Sequence, residues 1–151
     1  MPPSRTNMLA QLVAKWLNEA VQELPPENTE DVMTAFQSVG QAVSADVIAL
    51  HSQIGGMQMM DENYFRLWPL SEIRDLNISP SPHGVLFADY LIDSWQYRIK
   101  PISASESMVY VDHCDGKVPQ PVGENLQDFL WCCLSDPNSV LHHPGSLGAD
   151  A

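Results

Sequence analysis

The sequence predicts an α+β domain with a single, mostly antiparallel sheet flanked by N-terminal helices and one C-terminal helix. Three observations predict it. Up to Gly56 the apolar residues recur at helical spacing. After Gly56 the pattern turns to period two, broken by Pro, Gly, Asp and Ser. A last amphipathic segment follows Asn125. Helices first, strands next and one helix last is the order of an α+β layer, not of alternating β-α-β units. At 151 residues the chain has the size of one domain, with enough length for one core.

The first helix is expected from Met8 to Leu24. Its stripe is Met8, Leu9, Leu12, Val13, Trp16, Leu17, Ala20, Val21 and Leu24, and Pro25-Pro26 ends it. Its polar face sets Lys15 against Glu19 and Glu23, which suits packing on a core and not an anionic membrane surface. A second helix is expected to start at Thr29 as N-cap, with Glu30 and Asp31 in its first turn and Val32, Phe36, Val39 and Val43 facing inward. Ser44 caps a third, with Val47, Ile48, His51 and Ile54 inward and Gly55-Gly56 as its stop.

Residues 64–68 then read as a strand that Pro69 stops, and Leu70 to Leu76 as a short helical turn. Residues 77–84 form a loop. Strands at 84–88 and 95–100 enclose an acidic turn region, and a further strand at 108–111 leads into a turn over 112–117. Asn125 caps the closing helix, whose stripe is Leu126, Phe129, Leu130, Cys133 and Leu134 and which Asp136-Pro137 closes. The domain is expected over residues 1–137, with 138–151 as a short mobile tail.

Nineteen acidic residues against seven basic ones give a net charge of −12. A chain so acidic repels phosphate backbones and anionic lipid, so neither nucleic acid nor membrane is an expected partner. A basic protein is attracted and steered. Three cysteines, two of them adjacent, make no disulfide framework, and no apolar run approaches a membrane span. A cytoplasmic protein is expected on these grounds.

Several constellations tempt a catalytic reading. Asp89 and Asp93 flank one strand connection and Asp112 and Asp115 another, and paired carboxylates can do acid–base work or hold a metal. Aspartate is also an ordinary turn residue. His113 and Cys114, with His83, could ligate zinc, but CxxC and HxxxH spacings are missing. Cys133 falls in an apolar stripe and reads as an inert core thiol, and His142-His143 falls in the tail. Met57, Met59 and Met60 read as a partly buried strand before an adaptable binding surface. The sequence holds no phosphate-binding glycine loop and no nucleophile elbow. The expectation is therefore a non-enzyme without a cofactor. A metal-dependent hydrolase built on Asp89, Asp112 and His113 is the weaker alternative.

Three stretches together resemble the SUKH superfamily, which includes fungal cell-wall-synthesis regulators and bacterial toxin-immunity proteins. They are SADVIALHSQIGG over 44–56, FRLWPLSEI over 65–73 and GVLFADYLIDSWQYRIKP over 84–101, the last followed by VYVDHCDGKVPQPVGENLQDFLWCCL over 109–134. The likeness spans roughly residues 25–135. The chain departs from the family pattern at Val43-Ser44, where a Leu-Pro pair is common, and at Ile54, where Asn is common. The resemblance implies an α+β fold without catalytic residues that binds a partner protein. In bacterial members that partner is typically a cognate toxin, often a nuclease; the fungal members suggest a regulatory or scaffold role instead. The surface expected to meet a basic toxin combines Asp89, Asp93, Trp95, Tyr97, Asp112 and Asp115, which joins acids to aromatics able to anchor an interface.

Overall fold

A computed structural model of the chain describes residues 8–78, 81–91 and 94–141. In chain order the elements are α1 (Met8–Leu17), β1 (Glu23–Leu24), α2 (Thr29–Ser38), α3 (Ala45–Gln53), β2 (Gly56–Met57), β3 (Phe65–Leu67), α4 (Leu70–Leu76), β4 (Val85–Tyr90), β5 (Trp95–Pro101), β6 (Ser107–Asp112), β7 (Gln120–Pro121) and α5 (Leu126–Ser135). Strands β3 to β7 form an antiparallel sheet in sequence order, and β1 and β2 pair antiparallel as a separate ribbon. The expected α+β architecture with a mostly antiparallel sheet is the observed one.

Cross-strand partners share a face, so the register sorts the sheet into two sides. Phe65, Leu67, Ala88, Tyr97, Ile99, Val109 and Val111 look inward and are buried. On that side Phe129 of α5 meets Phe65, Phe87 and Tyr97, with ring centroids 5.3–6.5 Å apart, and Trp16 of α1 stacks on Phe65 at 6.0 Å. The opposite side carries the row Arg66, Asp89, Gln96 and Asp112. All six residues of β4 are buried, so this strand, second from the β3 edge, is covered on both faces. A bulge between Leu86 and Ala88 bends it, and the Asn77 amide closes the gap by exchanging hydrogen bonds with the Leu86 backbone.

Helix capping follows the local chemistry. Asn28, one residue before the expected Thr29, is the N-cap of α2, and its Oδ1 accepts the Asp31 N–H at 2.8 Å. Asn125 caps α5 in the same way, at 2.8 Å to the Asp128 N–H. Ser44 stands before α3 as expected, but its hydroxyl bonds the Asp46 carboxylate at 2.6 Å. That carboxylate also accepts the Ser107 hydroxyl and N–H, which ties α3 to the start of β6.

The first helix is shorter than expected. It stops at Leu17, which is 67% exposed, and Gln22 at φ 54° breaks any continuation. Leu24 pairs instead with Gly56 in the β1–β2 ribbon, and Val21 is buried by a turn. The apolar period of residues 20–24 is real, but tertiary pairing claims it. Only glycine serves at position 55, because a Cβ there would overlap the Pro25 carbonyl. At the other end Val140 and Leu141 are buried with the core, so packing runs past the expected boundary at 137. Residues 142–151, with His142 and His143, lie outside the described residues.

His51 on α3 is fully buried, and neither ring nitrogen has a hydrogen-bond partner among the described residues. Burial pushes its pKa down to about 4, against a weaker opposite pull from the Gly55 backbone. The unfolded chain therefore binds a proton at higher pH, near 6.5, than the folded one. Stability is fully present above that value and is lost as pH falls toward about 4. Between pH 7.5 and 5 this group alone removes about 2 kcal/mol. Urea titrations at both pH values check this: His51→Leu shrinks the acid loss by that amount, and an equal loss in both proteins would refute it.

Candidate functional site

The β4–β5 hairpin and the turn after β6 meet at one end of the sheet. Three non-glycine residues there hold left-handed backbone: Tyr64 at φ 67°, Leu91 at φ 51° and Cys114 at φ 56°. Such conformations cost about 1 kcal/mol each and persist where the surroundings enforce them. The Leu91 N–H donates to the Tyr64 carbonyl at 2.8 Å, which locks the two strained residues together.

Across this end runs a chain of aromatic rings. Tyr64 meets Tyr90 edge-on at 6.2 Å, Tyr90 tilts against Trp95 at 5.1 Å, and Trp95 meets His113 edge-on at 5.7 Å. Tyr90 is buried, while Tyr64, Trp95 and His113 are half-buried. Half-buried rings held by neighbouring rings offer rigid apolar area at small entropic cost.

The acids expected beside them fare differently. Asp89 is 2% exposed: its carboxylate accepts the Trp68 indole N–H at 2.6 Å and lies 3.4 Å from the Arg66 guanidinium. It cannot meet a partner. Its place opposite Arg66 in the β3–β4 register, and not a turn role, explains it. Tyr97 is likewise fully buried against Phe65 and Phe129, and its hydroxyl donates to the Val140 carbonyl at 3.3 Å. Burial, ahead of the nearby Cys133, Tyr90 and Asp89, raises its pKa. Asp112 is half-buried and engaged on both oxygens, by Arg98 Nε at 2.9 Å and by the Cys114 N–H at 2.9 Å. Asp115 is exposed and accepts the Lys117 N–H at 3.0 Å, an ordinary turn bond. Asp93 lies outside the described residues.

Of the expected surface, Trp95, Asp112 and Asp115 thus remain at this end, and the structure adds Tyr64 and His113. Tyr64 reads as the start of a strand in sequence, and only its left-handed backbone turns it toward Tyr90. His113 follows β6 directly, so alternation along the strand puts it on the side opposite Asp112, where it meets Trp95.

The same geometry bears on the metal alternative. Gln96 stands between Asp89 and Asp112 in the register, and the rings of His113 and His83 pack on Trp95 and Tyr110 respectively. No group of three His, Cys, Asp or Glu side chains among the described residues could hold a metal ion. The three cysteines are free thiols, and burial raises the pKa of Cys133 well above its ordinary value, which makes it a poor nucleophile. Met57 is buried in β2 while Met59 is exposed, so the methionines form no common face. No helix among the described residues is long and apolar enough to cross a membrane.

Neither the known family models nor the curated proteins contain a match to this chain. The fold and the site define it as an acidic α+β domain with an aromatic sheet end.

If Asp89 is a structural anchor, its loss acts on stability. Asp89→Ala orphans a buried indole N–H and loses a partner of Arg66, at a cost of about 3 kcal/mol. Asp89→Asn keeps an acceptor and costs less. Asp115→Ala stays within about 0.5 kcal/mol. Chemical denaturation measures all three, and equal effects at 89 and 115 would contradict the assignment.

Proposed function

We propose that this chain is a non-catalytic, cytoplasmic protein-binding domain that neutralises a basic partner, of the toxin-immunity kind implied by its resemblance to the SUKH superfamily. The observation that carries the reading is the row of half-buried rings, Tyr64, Trp95 and His113, at one end of the sheet in a chain of net charge −12; Asp112 lies at the same end on the opposite face, and Asp115 in the turn that follows β6. Rigid aromatics supply buried area at the centre of an interface, and acids at its rim raise the encounter rate with a basic surface. Guanidinium groups also stack favourably on indole and phenol faces. Free thiols, one of them exposed, suit a reducing compartment.

Charge acts here mainly on association. Asp112 is already neutralised by Arg98, so its attraction for a partner is reduced. Trp95 carries more of the contact than any one acid.

The test is co-expression with the products of neighbouring genes. A basic toxin should be captured as a complex, and growth should be protected. Trp95→Ala should raise the dissociation constant about 30-fold, equivalent to about 2 kcal/mol. Asp115→Asn should change mainly the on-rate and its salt dependence. Absence of both capture and protection with every neighbouring product would reject the reading.

A further inference from the structure

The polar side chains of the sheet are largely committed. Arg66 bonds Glu72 and the Met57 carbonyl, Arg98 bonds Asp112 and the Gly84 carbonyl, and Lys100 bonds the Pro82 carbonyl. A second region differs. A groove of about 510 Å³ opens between the β1–α2 connection, α2 and the start of α4. Leu24, Pro25, Pro69 and Leu70 give it apolar walls, and a volume of that size lies in the range of ligand and peptide sites.

Five polar side chains line the same groove: Glu27, Asp31 and Thr34 from one side, Ser71 and Arg74 from the other. None of the five makes an ion pair or hydrogen bond through its side chain with the described residues. The Glu27 N–H bonds the His51 carbonyl, and the Asp31 N–H bonds the Asn28 side chain. Two carboxylates and one guanidinium line the groove, so it is net acidic and offers both acceptors and donors. An extended backbone with a cationic side chain matches that set: its cation takes the carboxylates, and its carbonyl groups take Arg74 and the hydroxyls.

We propose that this groove receives an arginine- or lysine-bearing extended segment of the basic partner, with the cation at Glu27 and Asp31 and a backbone carbonyl at Arg74. The inference rests on the partner being basic, as argued above, and it places a second contact away from the aromatic sheet end. The groove walls meet the aliphatic flanks of the segment. Glu30, exposed at the start of α2, adds steering without lining the groove.

The experiment is an amide chemical-shift titration of the full chain with the capped tripeptide Leu-Arg-Leu, and with the same peptide carrying neutral citrulline in place of arginine. Saturable shifts at Thr34, Ser71 and Arg74 are expected with the arginine peptide. Affinity should fall at least about tenfold with citrulline, and also in Glu27→Gln and in Asp31→Asn. Glu124→Gln, which removes one charge elsewhere, should leave the groove response unchanged. Shifts confined to Trp95 and His113 would overturn the groove while leaving a basic partner intact. Equal binding of the two peptides, or no saturable shift at the groove, would also overturn it. Failure of the basic-partner reading itself shows separately, as absence of capture and protection in co-expression.

Discussion

Two tryptophans, each fully buried with its single polar atom, need acceptors inside the protein, and two buried aspartates supply them. Trp16 Nε1 donates to Asp61 at 2.9 Å, and Trp68 Nε1 donates to Asp89 at 2.6 Å. The pairs bracket β3 at both ends. Asp61 also accepts the Asn63 and Phe65 N–H groups, which starts the strand, while Asp89 sits opposite Arg66, which holds it in register. A strand of three residues has too little pairing of its own to be fixed by the ladder alone. Here the indole–carboxylate pairs fix it, and with it the docking of α1 on the inner face.

This constraint carries an electrostatic cost. Burial raises the Asp61 pKa even though three N–H groups favour its charged form. Desolvation therefore outweighs hydrogen bonding at Asp61. Asp89 differs in having the Arg66 guanidinium near it, itself neutralised by Glu72. Pairs of this sort contribute less to net stability than to uniqueness of register, because removing one partner strands the other. That uniqueness reaches the aromatic end directly: the turn that opens at Asp61 sets Tyr64 in its left-handed conformation, and Tyr64 in turn receives Leu91 across the hairpin.

Much of the fold was legible in sequence because it rests on local period and capping. The stripe Leu126, Phe129, Leu130 and Cys133 and the cap at Asn125 needed no tertiary knowledge. The end of α1 did need it. Val21 and Leu24 keep helical spacing, yet Leu24 belongs to a ribbon whose other strand lies some thirty residues on. Strands of two residues, such as β1, β2 and β7, are shorter than one alternation and leave no period to read. The candidate site was less legible still. Asp89 and Asp112 look alike in sequence, each at a strand end beside a turn. Only the register shows that one faces Arg66 under cover and the other Arg98 at the margin.

The distribution of engaged and disengaged charge is the more informative form of the net −12. An acid already held by an arginine contributes little to recognition, since a partner must compete with an existing ion pair. On the sheet the arginines are spent in this way, on Glu72, Asp89 and Asp112. The acids at the start of α2 have no such partner among the described residues, and they suit the positive end of that helix. Unpaired acids thus gather at the start of α2, whereas Asp89 and Asp112 on the sheet are held by arginines. Charge left unpaired acts on the rate of an encounter, whereas buried apolar rings act on the lifetime of a complex, so the two kinds of residue are separated in this fold.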